Sequence, residues 1–147
     1  MLKNIPAVLP PELIRILDEM GHGDRICIGD GNFPAASLAR RGGTALVRAD
    51  GSGTLELMEA VLNLIPLDGD NPTPIMLMEK MESDRDLKVC IWEDYGKLAR
   101  AYDGRGREVI GKYNKHEFYD QAARCACIVQ SGETAIYASV ILQKGII

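Results

Sequence analysis

The amino-acid sequence predicts an α/β fold in which helices cover both faces of a central β-sheet. Stretches with apolar residues three and four positions apart alternate with short β-prone stretches along the chain, and this alternation is typical of a sheet between helices. Neither an internal repeat nor a shift in composition divides the 147 residues, and a chain of this length can bury one core. We therefore expect a single domain over residues 1–147.

The first half of the chain contains two predicted helices and two predicted strands. Pro11 suits a first helical turn, and the apolar residues after it predict a helix over Pro11–Met20. Thr54 can cap the second helix. The strands are predicted at Arg25–Gly29 and Thr44–Arg48, with a polar, Gly- and Arg-rich loop at Ser37–Gly43.

The middle of the chain is predicted to be less regular. Asp, Asn and Pro residues indicate a loop at Leu67–Pro74, and the charge-dense stretch Glu79–Leu87 indicates a solvated loop or a short turn of helix. The regular elements expected here are strands at Ile75–Met78 and Val89–Trp92, a helix at Glu93–Tyr102 and then a turn at Asp103–Arg107.

The last third begins with a helix signal. Asn114, followed three residues later by Glu117, has the pattern of a capping box and predicts a helix that reaches about Arg124. The remaining elements are a strand at Cys125–Gln130, a tight connection at Ser131–Thr134 and a strand at Ala135–Gln143.

Composition excludes several classes of function. The net charge of −4 argues against nucleic acid as the main partner, because nucleic-acid binding requires a basic face. No apolar run approaches the ~20 residues of a membrane span, and early prolines interrupt what would be the apolar part of a signal peptide. We expect a cytoplasmic protein with neither a nucleic-acid nor a membrane partner.

The sequence does not indicate a metal centre. The four cysteines lack C-x-x-C spacing and stand in apolar surroundings, so we expect them in the core, and two histidines are too few for a histidine-rich site. Motifs for a dinucleotide or a P-loop are absent. We therefore predict no metal, and a site of one histidine with carboxylates is the alternative. The cysteines are Cys27, Cys90, Cys125 and Cys127.

The stretch Met20–Pro34 carries the candidate chemistry. His22 lies between two glycines before the strand Arg25–Gly29, and Asp30 lies between two glycines after it. Because a strand rises about 3.3 Å per residue, the two side chains lie near opposite ends of the strand. They share a pocket only if the chain bends at the glycines, or if another part of the chain or another subunit completes it. The alternative is a core strand between two tight turns, with a solvated histidine and a turn aspartate.

Several short motifs occur in the order found in one known family. The motifs are Pro11-Glu12-Leu13, Met20-Gly21-His22-Gly23-Asp24, Asp30-x-Asn32-Phe33-Pro34, Arg48-Ala49-Asp50-Gly51, Phe118-Tyr119, Gly132-Glu133-Thr134, Tyr137 and Leu142-x-Lys144-Gly145. On these motifs the chain resembles the L-fucose mutarotase and D-ribose pyranase family, and the fucose branch in particular. The resemblance spans nearly the whole chain and is weakest over Pro66–Gly111.

The resemblance implies a central mixed sheet between helices, ring-shaped homo-oligomers often described as decamers, and a sugar pocket near the subunit contacts. It also implies an activity that interconverts sugar ring forms without cofactor or metal. We expect an isomerase, a mutarotase of L-fucose or a related monosaccharide. A pyranase that interconverts pyranose and furanose forms and a non-enzymatic monosaccharide-binding protein are the alternatives.

The resemblance also assigns roles to residues. His22 falls on the family's proton-donating histidine, and Asp30 falls on its sugar-binding aspartate. Lys115 falls where the fucose branch has Arg and the ribose branch has His, so it keeps the charge without the planar fork. The remaining substrate-binding candidates, at the family's Tyr-x-Asn, are Tyr137, Ala138 and Ser139, and the second-tier candidates are Asp50, Tyr119 and His116.

Ordinary structural roles are the alternative for these residues. Ser139 lacks the paired donor and acceptor of the amide that the family has there. The alternative for Lys115 is a surface position on a helix, in which case a shift of one residue makes His116 the functional residue. The alternative for Asp50 is an ordinary turn residue. Tyr137 is otherwise a half-buried strand residue. We expect Trp92, Met76, Met78 and Met81 to pack in the core or at an interface. The alternative role of Tyr119 is packing against the core.

Overall fold

All strands in the described residues join one six-stranded mixed sheet. The computed structural model describes residues 2–147, and the strand order is β2-β5-β1-β6-β3-β4. Strand β6 is antiparallel to both of its neighbours, whereas the other three pairs are parallel. The strands are β1 (Arg25–Gly29), β2 (Ala45–Ala49), β3 (Ile75–Met78), β4 (Ile110–Tyr113), β5 (Cys127–Ser131) and β6 (Val140–Gln143).

Helices cover both faces of this sheet, as the sequence predicts. The helices are α1 (Pro11–Glu19), α2 (Ala35–Gly42), α3 (Thr54–Leu62), α4 (Ile91–Tyr102) and α5 (Lys115–Ala122). Side chains of α1, α3 and α4 pack with Ile26 and Ile28 on one face of the sheet. Side chains of α2 and α5 pack with Cys27 on the other face. The alternation along β1 follows from the two-residue period of a strand, and it builds a separate apolar core on each face.

The strand directions bring distant loops together at one end of the sheet. Ile28 near the end of β1 and Leu77 near the end of β3 both pair with Val140 at the start of β6. Strands β2, β4 and β5 run parallel to these neighbours and end on the same side. We call this side the carboxyl end of the sheet. The opposite side, which holds the start of β1 and the end of β6, is the amino end.

Two predictions for the elements after β1 and β3 are wrong. Ser37–Gly43, predicted to be a loop, lies mostly in helix α2, where Leu38 and Ala39 are buried and Gly43 ends the helix with a left-handed φ of 66°. The apolar spacing outweighs the Arg and Gly content. Val89–Trp92, predicted to be a strand, instead leads into α4, which begins at Ile91.

The strand predicted at Ala135–Gln143 is shorter than expected. Only Val140–Gln143 is extended in the sheet, because Tyr137 has a φ of 59°, which a strand does not accept. Tyr137 therefore lies in a turn at the carboxyl end of the sheet and not on a strand. Strand β4, at the sheet edge, lies in a stretch for which the sequence carries no clear pattern.

Two single-residue predictions also need correction. Thr54 is the first residue of α3 and Gly53 is its N-cap; the Thr54 hydroxyl bonds instead with the Tyr95 hydroxyl at 2.5 Å. Cys90 is exposed, whereas the other three cysteines are buried as expected. Burial raises the pKa of the Cys125 and Cys127 thiols to about 12, which removes them as thiolate ligands or nucleophiles at neutral pH.

No helix in residues 2–147 has the length and apolar character to span a membrane.

Candidate functional site

A cavity of about 240 Å³ lies at the carboxyl end of the sheet. Its volume is below the roughly 300–1,000 Å³ of pockets for drug-sized ligands, so it suits a small molecule. Its polar lining is Asp30, Asn32, Asp84, Lys115, Tyr119 and Tyr137, and its apolar lining is Phe33, Met78, Met81 and Ile136. A larger cleft beside α1 is lined mainly by apolar residues and has no comparable convergence of polar groups.

Asp30 follows β1 directly and is held in a fixed orientation. The residue is only 4% exposed, and its Oδ1 accepts a hydrogen bond from the Asn32 amide at 3.0 Å. Its Oδ2 accepts from the Ser139 hydroxyl at 2.8 Å. Each carboxylate oxygen has a further lone pair, so Asp30 can accept hydrogen bonds from a ligand's hydroxyl groups without moving.

Aromatic rings form the wall beside Asp30. Phe33 packs edge-on against Phe118 and Tyr119, with ring centroids 5.8 and 5.5 Å apart. A Cβ on Gly29 would lie 2.5 Å from the Phe33 ring, so the glycine before Asp30 allows this ring to fold back over the strand end. The ring faces can pack on the C–H surface of a sugar.

Lys115 supplies the cationic side of the cavity. It is the first residue of α5, which Asn114 caps by accepting a hydrogen bond from the Glu117 amide at 3.0 Å, as the sequence predicts. Its Nζ lies 5.8 Å from the centre of the Tyr119 ring, within the range of a cation–π contact. His116, the next residue, is exposed and does not line the cavity.

Tyr137 enters the cavity from the turn before β6. Its hydroxyl donates a hydrogen bond to Asp84 Oδ2 at 2.5 Å and accepts one from the Met81 amide at 3.1 Å. The bond to Asp84, together with burial, raises the pKa of the Tyr137 phenol. Trp92 Nε1 donates to the Tyr137 carbonyl at 2.8 Å, which fixes the backbone of the turn.

The two residues after Tyr137 do not line the cavity. Ala138 and Ser139 are both 0% exposed. The Ala138 carbonyl accepts a hydrogen bond from Tyr95 at 2.6 Å, and the Ser139 hydroxyl bonds to Asp30. Within one protomer, Ser139 therefore contacts Asp30 and not the cavity.

His22 lies at the amino end of the sheet, away from the cavity. Five residues of β1 separate the turn of His22 from Asp30, which corresponds to roughly 16 Å at about 3.3 Å per residue. The His22 side chain is 45% exposed, and its Nε2 lies 3.2 Å from Asp68 Oδ1. Within one protomer the structure therefore does not bring His22 and Asp30 together. Asp50 is also away from the cavity, exposed and paired with Arg48.

Asp68 is the buried partner of His22. Its side chain is 7% exposed, and it accepts hydrogen bonds from the Asp70 amide at 3.0 Å and from Gln143 Nε2 at 2.8 Å. Burial acts to raise the pKa of this carboxyl, but the hydrogen bonds from Asp70 and His22 outweigh it and lower the pKa. Asp68 is therefore a charged acceptor that can orient the imidazole.

Arg105 fixes the loop that carries Asp68. Its guanidinium donates to the backbone carbonyls of Asp68 at 2.9 Å and Asn71 at 2.7 Å. It is held in turn by two hydrogen bonds to Asp103, at 3.0 and 2.8 Å. Only a planar fork with several donors can make all of these bonds at once.

One group of side chains has the composition of a cation site. Single ligand atoms of His22, Asp68 and Asp70 all lie within 4.8 Å of one another. Both oxygens of Asp68 already accept hydrogen bonds from protein donors. The three groups are therefore as well suited to orienting the His22 imidazole as to binding a metal ion. We assign no metal here.

The sequence analysis missed the roles of Asp84, Met81 and Asp68. Asp84 falls in the charge-dense stretch interpreted as solvated, whereas Met81, expected to pack in the core or at an interface, is 48% exposed and lines the cavity. No local pattern relates either residue to Tyr137, which is more than fifty positions away. Asp68 falls in a polar loop, where its burial has no signature in sequence.

Comparisons with known proteins agree with this fold over its full length. A fucose mutarotase of Bos taurus is 43% identical over 150 residues, covering 100% of this chain and 95% of that protein. The crystal structure of FucU from Bifidobacterium longum has a TM-score of 0.94 at 44% identity, and 99% of each chain is covered. A fucose mutarotase from Streptococcus pneumoniae, solved in complex with L-fucose, has a TM-score of 0.90 at 36% identity and the same coverage.

The match to a family is equally extensive. Residues 3–147 match the family described as the RbsD / FucU transport protein family. The sequence motifs, the mixed sheet and the relatives all agree on this point. The chain is a member of the RbsD / FucU family.

Proposed function

We propose that this protein is a mutarotase, an isomerase that interconverts the anomers of L-fucose. Its relatives include proteins named fucose mutarotase, one of them solved with L-fucose. The observation that carries the proposal in this chain is the small cavity around the fixed carboxylate of Asp30. A carboxyl acceptor beside aromatic rings suits a polyhydroxylated ring of this size.

Ring opening needs two proton transfers, ring closure needs the reverse two, and the composition does not change. A proton reaches the ring oxygen while the anomeric hydroxyl gives its proton to a solvent water molecule, so that the bond between C1 and the ring oxygen breaks and the ring opens to the aldehyde. Rotation about the C1–C2 bond and the reverse transfers then close either anomer. We propose that His22 exchanges the proton of the ring oxygen, since an imidazole can donate and take back a proton near neutral pH.

The cavity residues hold the sugar in our proposal. Asp30 accepts hydrogen bonds from ring hydroxyls, Lys115 donates to a sugar oxygen, and the Tyr119 and Phe33 rings pack on the sugar. Ser139 supports Asp30. A few kcal/mol of positioning and proton transfer is sufficient, because mutarotation is already fairly quick without a catalyst.

We propose a homo-oligomer in which His22 of one copy reaches the cavity of another. Support comes from the positions of the two groups, since His22 is exposed at the amino end and Asp30 lines the cavity at the carboxyl end. A decamer is the proposed assembly. Light scattering should then give about ten times the chain mass of 16.1 kDa, and a monomer at assay concentrations would contradict the proposal.

The cysteines are free, as is usual in the cytoplasm, where we propose that the protein acts.

Exchange NMR tests the activity directly. Saturation of the anomeric proton of α-L-fucose should transfer to the β anomer faster when the protein is present, and His22→Ala should abolish the increase. The same measurement on D-ribose, following pyranose and furanose signals, detects a pyranase. Binding of L-fucose without faster exchange would instead support a non-enzymatic sugar-binding protein. The absence of a histidine from the lining of the described protomer's cavity is the observation that favours this alternative.

A further inference from the structure

Asp84 lines the same cavity as Asp30. It ends a short 3-10 turn, Glu82–Asp84, between β3 and α4, and lines the cavity with Asp30 and Lys115. Two carboxylates and one ammonium thus face the same small volume. The proposed function makes no use of Asp84.

The bond between Asp84 and Tyr137 determines what the Tyr137 hydroxyl can offer a ligand. A phenol has one proton and two lone pairs. The proton is donated to Asp84 Oδ2, and one lone pair accepts from the Met81 amide. What remains is one lone pair, so Tyr137 presents itself to a ligand as an acceptor.

The other oxygen of Asp84 is available for a ligand. In residues 2–147, Asp84 Oδ1 has no hydrogen-bond partner, and the residue is half-buried. Residues 80–88 make five hydrogen bonds that involve a side chain. Three of them join residues within this segment, and the other two join Met81 and Asp84 to the Tyr137 hydroxyl. Tyr137 therefore ties this segment, and with it Asp84, to the cavity.

We propose that Asp84 positions the substrate in the sugar site, holding the Tyr137 hydroxyl as an acceptor and accepting a sugar hydroxyl with its free oxygen. The inference rests on the proposed function and deepens it, because it specifies the substrate class. The ligand must offer hydroxyl donors to Asp30, Asp84 and Tyr137. With two carboxylates against one ammonium, neutral monosaccharides are accepted, whereas sugar acids are repelled.

Asp84→Asn tests this role, because the amide keeps the shape and removes the charge. The KM for L-fucose should rise roughly tenfold, as for loss of a charge-assisted hydrogen bond. The value of kcat should stay within about threefold, because the bond orients the substrate without moving the proton. Glu82→Gln is the matched control: Glu82 lies on the same turn, is exposed and bonds to Arg85, so its KM should equal that of the wild type.

A spectroscopic readout separates this role from a structural one. The phenolate absorbance that is lost in Tyr137→Phe reports the titration of Tyr137. In Asp84→Asn that titration should move to lower pH, because the carboxylate that favours the protonated phenol is gone. Asp84→Asn should also raise the KM less in the Tyr137→Phe background than in the wild type.

The outcomes distinguish the inference from the proposed function. If the wild type does not accelerate anomer exchange of L-fucose, the proposed function fails, and sugar binding measured by calorimetry replaces KM in the same comparison. If the wild type is active but Asp84→Asn matches Glu82→Gln in KM, the role of Asp84 is overturned. An unmoved Tyr137 titration would overturn it as well.

Discussion

The Ser139 hydroxyl makes two hydrogen bonds to Asp30, one to its side chain and one to its backbone. It donates to Asp30 Oδ2 at 2.8 Å and accepts from the Asp30 amide at 3.1 Å. Ser139 is fully buried, so water does not replace either bond when the hydroxyl is removed. The orientation of the proposed sugar-binding carboxylate thus depends on a hydroxyl that directly precedes a neighbouring strand, together with the Asn32 amide.

Ser139→Ala should therefore weaken binding of the sugar. Loss of a buried hydrogen bond typically costs about 1–3 kcal/mol, and we expect a loss of this size in the free energy of unfolding and a rise of roughly tenfold in KM. Ser131→Ala is the control. Its hydroxyl is also buried and bonds to the Gly29 carbonyl at 2.7 Å, so stability should fall while KM stays. Equal KM values for both variants would show that Ser139 does not orient Asp30.

Asp68→Asn should slow the reaction and change the response to acid. An amide no longer offers His22 a charged acceptor, and we expect kcat to fall at least about tenfold. The hydrogen bonds that lower the pKa of Asp68 in the folded protein stabilise the fold above the unfolded-state pKa of about 3.9. This stabilisation disappears as the pH falls through the folded-state pKa.

Denaturant unfolding at several pH values measures this second effect. Between about pH 5 and pH 2, the free energy of unfolding of the wild type should fall more steeply than that of Asp68→Asn. Equal slopes for the two proteins would contradict the assignment of Asp68 as an ionised, hydrogen-bonded group in the fold.

Arg105→Lys should loosen the loop that carries Asp68. A lysine cannot reproduce the fork that binds the Asp68 and Asn71 carbonyls. We expect a loss of about 1–2 kcal/mol in the free energy of unfolding and faster amide exchange at Asp68 and Asp70. Arg100→Lys, at an exposed position in the last turn of α4, should change neither. Unaltered exchange in Arg105→Lys would exclude the proposed restraint.

Removal of metal ions should leave the activity unchanged. His22, Asp68 and Asp70 are close enough to contact one cation, so the point requires a direct test. Dialysis against a chelator should preserve the rate of L-fucose anomer exchange, since the proposed proton transfer uses the imidazole itself. Loss of activity that returns on addition of a divalent cation would show that the three groups form a metal site instead.

Much of the fold follows from local sequence patterns. The alternation in β1 and the spacing in α1 each specify an element and its buried face, and the capping box at Asn114 specifies the start of α5. The errors have physical reasons. Helix α2 is short and rich in Arg, so its apolar face is only Ala35, Leu38 and Ala39. The left-handed turn at Tyr137 depends on contacts with Trp92 and Asp84, which are distant in sequence.

The candidate site is predictable only in part for the same reason. Asp30, Lys115 and Tyr137 carry recognisable motifs, and the strand directions bring them to one cavity. Asp84 has no motif, because its position depends on how the segment after β3 folds back onto Tyr137. The separation of His22 from Asp30 follows from strand geometry alone, and it is the feature on which we base the proposal of a second copy.

A subunit-mixing experiment tests the proposed arrangement most directly. His22→Ala and Asp30→Ala chains, each inactive in anomer exchange of L-fucose, are co-assembled in equal amounts. If His22 of one copy serves the cavity of another, one pairing in four combines two intact residues, so the mixture should recover about a quarter of wild-type activity. A mixture that assembles but remains as inactive as its components would contradict a site shared between copies.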